Sequence, residues 1–465
     1  MSTNIEKNEI EEINAKLDQL LRENSVIKSS GDTKSTSAKP VVCVVGMGYV
    51  GYPLAAVTAS KGYEVYGFDT DLEKLKLIDQ KVNFLREELL EELLPRVKIN
   101  TFSDPRLMKM MDIFIICVPT PVNEKHYPIL DPVINACKTI AENMKKDVLV
   151  VLESTVNPGV SEDVVAPIFE KAGYVVGKDV FISHCPERIN PGDEYKGWNV
   201  SNLPRVLGSM DEEGLRRSLE FYKTIVTGEI VPMENIREAE AVKILENSFR
   251  DINIAFVNEM AMSYARFGID ITNVIKGAAS KPYAFMPHRP GCGVGGHCIP
   301  VDPYYMIEKA KENGFEHKFL SAARHINDGM ADYTVEMLQN KLNEVEKAVK
   351  GTKVGVLGIS YKADVGDLRE SPAIRIIDKI KKMDADLMAF DPYIATMPSI
   401  STAKDLDEIL SRSEALVVVT DHKVFKNIPV EDFVKNGIKV IIDGRNCLDK
   451  KAIRAAGIVY AGIGR

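Results

Sequence analysis

The sequence predicts an α/β protein: two doubly wound parallel-sheet domains joined by a long central helix and a helical middle domain. Three observations carry this. Short apolar, β-branched runs alternate with helical stretches from Val41 to about residue 232. A helical pattern without Gly or Pro then runs for about 30 residues from Asn235. The strand–helix alternation returns at Gly351. Strands buried on both faces of a parallel sheet read as continuous apolar runs, and helices supply the crossovers between them.

Taken in order, residues 1–38 stand apart. Ile10, Ile13, Leu17, Leu20, Asn24 and Ile27 follow a 3-4-3-4-3 spacing, so they share one seam of a helix, like heptad a and d positions. The stretch is short enough to be marginal alone. It reads either as a short oligomerising helix or as a frayed amphipathic tail. Ser29–Ala38 is polar and rich in Ser and Thr, as a flexible linker is. Residues 39–232 hold the first strand series: VVCVV, EVYGFD, DIFIICV and VLVVLEST. Residues 233–345 form the helical middle, where so long a helix is expected to pack against several neighbours, often another subunit. Residues 346–465 hold the second series: KVGVLGI, DLMAFDP, ALVVVT and KVIIDG.

Composition narrows the function. With 465 residues the chain is too long for one core. A formal net charge of -8 argues against a nucleic-acid binder, whose footprint is basic. No apolar run of membrane-spanning length is present, and the acidic N-terminus has no apolar signal core, so neither a membrane partner nor secretion is expected. Seven cysteines, with no C-x-x-C pair, fit a reduced, cytoplasmic chain.

The first strand runs into Gly46-Met47-Gly48-Tyr49-Val50-Gly51 and then a helix. That context turns a weak motif into a dinucleotide cradle: glycines allow a tight turn and close approach of backbone N–H groups to a pyrophosphate, at a helix N-terminus. The next strand ends at Asp69, 23 residues after Gly46. A carboxylate there accepts both ribose hydroxyls and repels a 2′-phosphate, which favours NAD; nearby Lys74 leaves NADP open. Pro119 and Thr120 end a further strand, where a ligand would lie.

The stretch from Gly291 to Pro303, GCGVGGHCIPVDP, is the most informative. Four glycines between Gly291 and Gly296, Gly295 among them, remove steric cover so that a substrate can approach Cys298. Asp302 is four residues on and meets Cys298 if a helical turn begins there. His297, Cys298 and Cys292 match no common zinc spacing, so no metal is expected. An inert buried Cys298 is the blander alternative. Lys243 and Asn247 are an i, i+4 pair on the long helix; such a pair can stabilise an oxyanion, although alone it is more often a solvated face. Glu153, Ser154 and Thr155 close a strand, and Glu187 with Arg188 sits in HCPER. A carboxylate in such a loop could activate water.

Together GMGYVG, ESTVNPG, CPERINPG, EAEAVKILENSFRDINIAFVNE, GVGGHCIPVDP and GISYKADVGDLRESPA resemble the UDP-glucose/GDP-mannose dehydrogenase family of nucleotide-sugar 6-dehydrogenases, over Val41 to Asn446. The resemblance implies a Rossmann-type NAD domain, a central dimerising helix and a Rossmann-like UDP-sugar domain, hence a homodimer, with residues 5–27 a possible further contact. It implies that Cys298 is a nucleophile, Lys243 and Asn247 its oxyanion-stabilising pair, and Glu187 the group assisting thioester hydrolysis. Asp302 and Thr155 would orient water or the reacting oxygen. Lys362 and Arg445 would hold the nucleotide sugar, and Arg369 would lie near the cofactor. Arg289 is the candidate for a sugar-contacting arginine given to a partner subunit. The implied reaction is a four-electron oxidation of a C6 alcohol to the uronate, through a thiohemiacetal and a thioester, with two hydrides passing to NAD. Three positions depart from the glucose-type branch: Pro191 stands where a second glutamate is found, and His297 and Val301 replace Ser and Lys. These departures resemble the N-acetylhexosamine branch and favour UDP-N-acetylmannosamine, then UDP-N-acetylglucosamine, then UDP-glucose. The rival classes are a single-step hydroxyacid dehydrogenase, which needs neither the cysteine nor a second α/β domain, and a non-catalytic sugar-nucleotide sensor, which should lack one of Cys298, Lys243 or Asn247.

Overall fold

The computed structural model describes residues 39–123, 127–189, 197–398 and 400–465. The N-terminal seam and Pro191 lie outside the described residues. The chain divides into two compact units. One contains residues 39–119, 131–154 and 159–239; the other contains 120–130, 155–158 and 240–465.

In the first unit β1 (Val42–Val45), β2 (Val65–Phe68), β3 (Asn100–Phe102), β4 (Ile113–Ile116), β5 (Val148–Leu152), β6 (Val180–His184), β7 (Arg205–Ser209) and β8 (Ile230–Pro232) form one sheet, in the order 3-2-1-4-5-6-7-8. The 3-2-1-4-5-6 part is the order of a Rossmann sheet, whose strand order reverses between β1 and β4. Residues of β1, β4 and β5 are buried, as their unbroken apolar runs predict. The sheet departs from all-parallel at one place: β7 pairs antiparallel with β6. A parallel neighbour needs a crossover helix, and none lies among the described residues between these two strands.

The second unit repeats the plan. β9 (Lys353–Leu357), β10 (Asp386–Phe390), β11 (Ser401–Thr402), β12 (Ala415–Val418), β13 (Val440–Asp443) and β14 (Val459–Gly462) form a parallel sheet in the order 11-10-9-12-13-14. Counted within the unit this is again 3-2-1-4-5-6. Its helical part includes most of α1 (Ile236–Arg266), then α2 (Ile271–Ala278), α3 (Asp302–Glu312) and α4 (Lys318–Asn343). Two apolar clusters flank its sheet, one with α4 residues such as Leu338 and Leu342 and one around Phe425 and Phe433. Each buried side chain of this size is worth roughly 1.5–3 kcal/mol. Among the described residues no helix is long and apolar enough to cross a membrane.

Candidate active site

The cofactor cradle belongs to the first unit. Gly46 has φ +94°, a conformation costly for any side-chain-bearing residue. A Cβ there would lie 2.8 Å from the Cys117 carbonyl oxygen, and one at Gly51 only 1.9 Å from that of Gly46. At Gly48 a Cβ would meet nothing, so that backbone faces open space. The Asp69 carboxylate accepts the Met47 N–H at 2.9 Å and the Asp71 N–H at 3.0 Å, and pairs with Lys74 Nζ at 2.8 Å. Burial works to raise its pKa, but Lys74 and these N–H donors outweigh that and hold it below its usual value. Lys74 is thus engaged by the carboxylate. An ionised carboxylate at the end of β2, an open glycine backbone and a helix start fit a dinucleotide with a free ribose 2′-hydroxyl. Tyr49 and Val50 lie in the same turn, and Pro119 and Thr120 follow β4.

Beside the end of β5 the first unit holds a buried polar cluster. Glu153 accepts a hydrogen bond from Tyr222 at 2.5 Å and pairs with Arg205 at 3.4 Å, all three fully shielded. Burial raises the Glu153 pKa against the pull of Arg205. Glu187 is buried and accepts the Ile189 N–H, while Arg188 donates to the Pro204 carbonyl at 3.1 Å.

The second unit holds Lys243, Asn247, Cys298 and Asp302. Lys243 and Asn247, one turn apart on α1, are both buried, not on a solvated face. Asn247 Nδ2 donates to Asp302 Oδ2 at 2.6 Å. The helical turn expected after Cys298 forms: the Asp302 N–H donates to the Cys298 carbonyl at 2.8 Å, and α3 starts at Asp302. Burial lifts the Asp302 carboxyl to about 7, with Lys243 and Asn247 pulling the other way. Such a pKa suits proton transfer near neutrality. Cys298 Sγ lies 3.0 Å from His297 Nδ1. Thr155 accepts a hydrogen bond at its carbonyl from Thr120 Oγ1, 2.7 Å away, and the Tyr305 hydroxyl donates to the Thr120 carbonyl.

The glycines before Cys298 serve a packing need beyond exposure. A Cβ on Gly295 would sit 2.6 Å from Tyr361 Cβ, one on Gly296 2.8 Å from the Tyr361 ring, and one on Gly291 2.8 Å from Arg445 Nη1. The loop therefore lies against the loops that follow β9 and β13. Arg445 donates to the Val419 carbonyl at 2.9 Å and to that of Tyr361 at 3.3 Å, so Lys362 and Arg445 occupy neighbouring loops at the carboxyl ends of the strands. Ligands of open parallel sheets bind at that end. Arg369 forms a bidentate pair with Asp367, and its carbonyl accepts the Gly296 N–H at 2.9 Å. Arg289 is exposed.

Sequence reasoning missed what holds this loop. The Gly291 N–H donates to Asn258 Oδ1 at 3.0 Å, Asn258 to Asn327 at 2.9 Å, and Asn327 to Asp251 at 2.8 Å; Arg324 pairs with Asp251 at 2.6 Å. All are buried. Lys243, Asn247, Asp251 and Asn258 recur at 4, 4 and 7 residues along α1, so the polar stripe was present in the spacing. Among the described residues no group of three or more His, Cys, Asp or Glu is placed to hold a metal.

The first unit's sheet order and cradle are those of a dinucleotide-binding domain, and a second α/β sheet accompanies it. Comparison with known proteins narrows this. The NAD binding, central and UDP binding domain models of the UDP-glucose/GDP-mannose dehydrogenase family match residues 40–226, 237–329 and 355–450. A UDP-N-acetyl-D-mannosamine dehydrogenase of Pyrococcus horikoshii is 33% identical over 91% of this chain and 99% of its own. A solved structure of a UDP-D-ManNAc dehydrogenase from Pyrococcus horikoshii, 33% identical over 91% of this chain and 99% of its own, superposes with a TM-score of 0.84. A UDP-N-acetyl-D-glucosamine 6-dehydrogenase of Pseudomonas aeruginosa is 34% identical over 85% of this chain and 94% of its own. The chain belongs to the UDP-glucose/GDP-mannose dehydrogenase family, and it is an NAD-dependent nucleotide-sugar dehydrogenase.

Proposed function

We propose that the enzyme oxidises the C6 alcohol of a UDP-N-acetylhexosamine to the carboxylate in two steps, with Cys298 as covalent nucleophile. The observation that carries this is that buried Asp302, one helical turn after Cys298, accepts a hydrogen bond from Asn247, which is itself buried one turn along α1 from buried Lys243. Bound NAD is the hydride acceptor in both oxidations. Lys243 and Asn247 donate hydrogen bonds to the developing oxyanion when the thiolate adds to the aldehyde, which also prevents the aldehyde from escaping. Asp302, titrating near neutrality, holds or releases a proton at the reacting oxygen. Glu187 is assigned to thioester hydrolysis, and Thr155 to orienting water, on their motifs. Gly46, Gly48, Tyr49, Val50, Gly51, Asp69, Lys74, Pro119, Thr120 and Arg369 are assigned to the cofactor. Arg188, Gly295, Lys362 and Arg445 are assigned to the nucleotide sugar.

The division into 39–232, 233–345 and 346–465 is proposed as NAD, central and UDP-sugar domains. A homodimer is also proposed, with Arg289 reaching the partner's sugar site. Leu245, Phe249 and Phe256 lie along one side of α1 and are exposed in the single chain, Leu245 by 71% and Phe256 by 56%. Side chains this apolar favour burial against a second copy. Among the described residues none of the seven cysteines forms a disulfide, which supports a cytoplasmic setting.

The His297 and Val301 departures favour the N-acetylhexosamines, and the P. horikoshii relative tips the choice to the manno epimer. The P. aeruginosa relative keeps the gluco epimer as second reading. The test is kcat/KM for UDP-N-acetylmannosamine, UDP-N-acetylglucosamine and UDP-glucose with NAD. Preference for the first supports the assignment, and turnover of UDP-glucose alone overturns it.

A further inference from the structure

We propose that His297 is a catalytic residue: its Nδ1, 3.0 Å from Cys298 Sγ, donates a hydrogen bond to the Cys298 thiolate and sets how much of the nucleophile is available. This rests on the reading of Cys298 as nucleophile and deepens it.

The chemistry follows from what faces the ring. His297 is exposed as a residue, yet desolvation of its ring, then Arg369 and Lys243, hold the imidazole down, at about 4; Asp367 acts in the opposite sense. Asp367 is itself tied to Arg369 at 2.6 Å. The ring is therefore neutral at physiological pH and carries one N–H. So weak a base does not hold a proton taken from a thiol of ordinary pKa, about 8.5. A neutral ring with the proton on Nδ1 can instead stabilise the anion, because hydrogen bonds to charged acceptors are the strong ones. Lys243 and Arg369, which keep the imidazole uncharged, favour the thiolate by the same field. In the step itself the Sγ–H bond breaks and water carries the proton away. A sulfur electron pair then forms the C–S bond to the aldehyde carbon. The C=O π pair moves to oxygen, which takes a proton from the Asp302 carboxyl, and solvent then reprotonates that carboxylate. The Nδ1–H stays on the ring throughout.

The test is the pH dependence of Cys298 alkylation by iodoacetamide in the full-length protein without substrate, located by peptide mass mapping. His297→Leu removes the donor. His297→Asn keeps an N–H near the place of Nδ1. The expected result is a Cys298 profile moved up by about one pH unit in His297→Leu, hence roughly tenfold slower alkylation at low pH, with His297→Asn close to wild type. The same pattern should appear in kcat, with the KM for the nucleotide sugar little changed. A His297→Leu profile that superposes on wild type overturns the proposal. So does a His297→Asn profile that follows His297→Leu, because the Nδ1 donor would then be irrelevant. Failure of the underlying reading shows separately: Cys298→Ala would still release two NADH per sugar, whatever the alkylation profiles do, and that overturns a catalytic role for the contact.

Discussion

Asp302→Asn should make the enzyme less sensitive to alkaline pH. Asp302 is buried, and its carboxyl is lifted from 3.8 to about 7. Its folded-state pKa lies above the unfolded one, so the native state binds the proton more tightly. The associated stability is fully present below about pH 4 and is lost as pH rises through 7. For those two pKa values, linkage gives a loss of about 2 kcal/mol between roughly pH 5.5 and 8.5 from this one group. Asparagine cannot ionise, yet its side-chain oxygen can still accept the 2.6 Å hydrogen bond from Asn247. The difference in unfolding free energy between Asp302→Asn and wild type should therefore move by about 2 kcal/mol in the variant's favour across that range. Urea unfolding of both proteins at the two pH values measures it, and the remaining titrations cancel in the comparison. A gap that does not change with pH refutes the reasoning, because Asp302 would then titrate where it does in the unfolded chain.

Further outcomes follow from the same geometry. Gly51→Ala places a Cβ 1.9 Å from the Gly46 carbonyl oxygen; isothermal titration should show NAD affinity reduced at least tenfold with the fold retained by circular dichroism. Asp69→Ser removes the carboxylate that would repel a 2′-phosphate and releases Lys74; the NAD-to-NADP ratio of kcat/KM should fall by about tenfold or more. Arg205→Ala leaves Glu153 buried without its cation; denaturation should reveal a loss of about 3–5 kcal/mol. Phe256→Glu puts a charge in the exposed stripe of α1; light scattering should find a dimer for the wild type and a monomer for the variant.

Much of the fold was legible because its signals are local. The apolar runs that became β1, β4, β9 and β12 are continuous because those strands are buried on both faces. The antiparallel β7 was not legible, because strand direction depends on the path of the preceding loop, which no periodicity records. At the site, Gly46, Asp69 and Cys298 announce themselves by residue type at the end of a strand or in a glycine-rich loop. Lys243 and Asn247 could have been a solvated face, and only their burial decides otherwise. Asn327 and Arg324 brace Asn258 and Asp251 of α1 from a helix distant from α1 in sequence; long-range pairing of this kind leaves no mark in spacing. Tyr361 explains why Gly295 and Gly296 must lack side chains, which the glycines alone could not say.

The central claim is that one cysteine carries the sugar through both oxidations. NADH formed per molecule of UDP-N-acetylhexosamine consumed, together with the product mass, tests it directly in wild type and in Cys298→Ala. Two NADH per sugar and a uronate in wild type, with no uronate from the variant, is the predicted result. One NADH per sugar in wild type, or full oxidation without Cys298, contradicts the account.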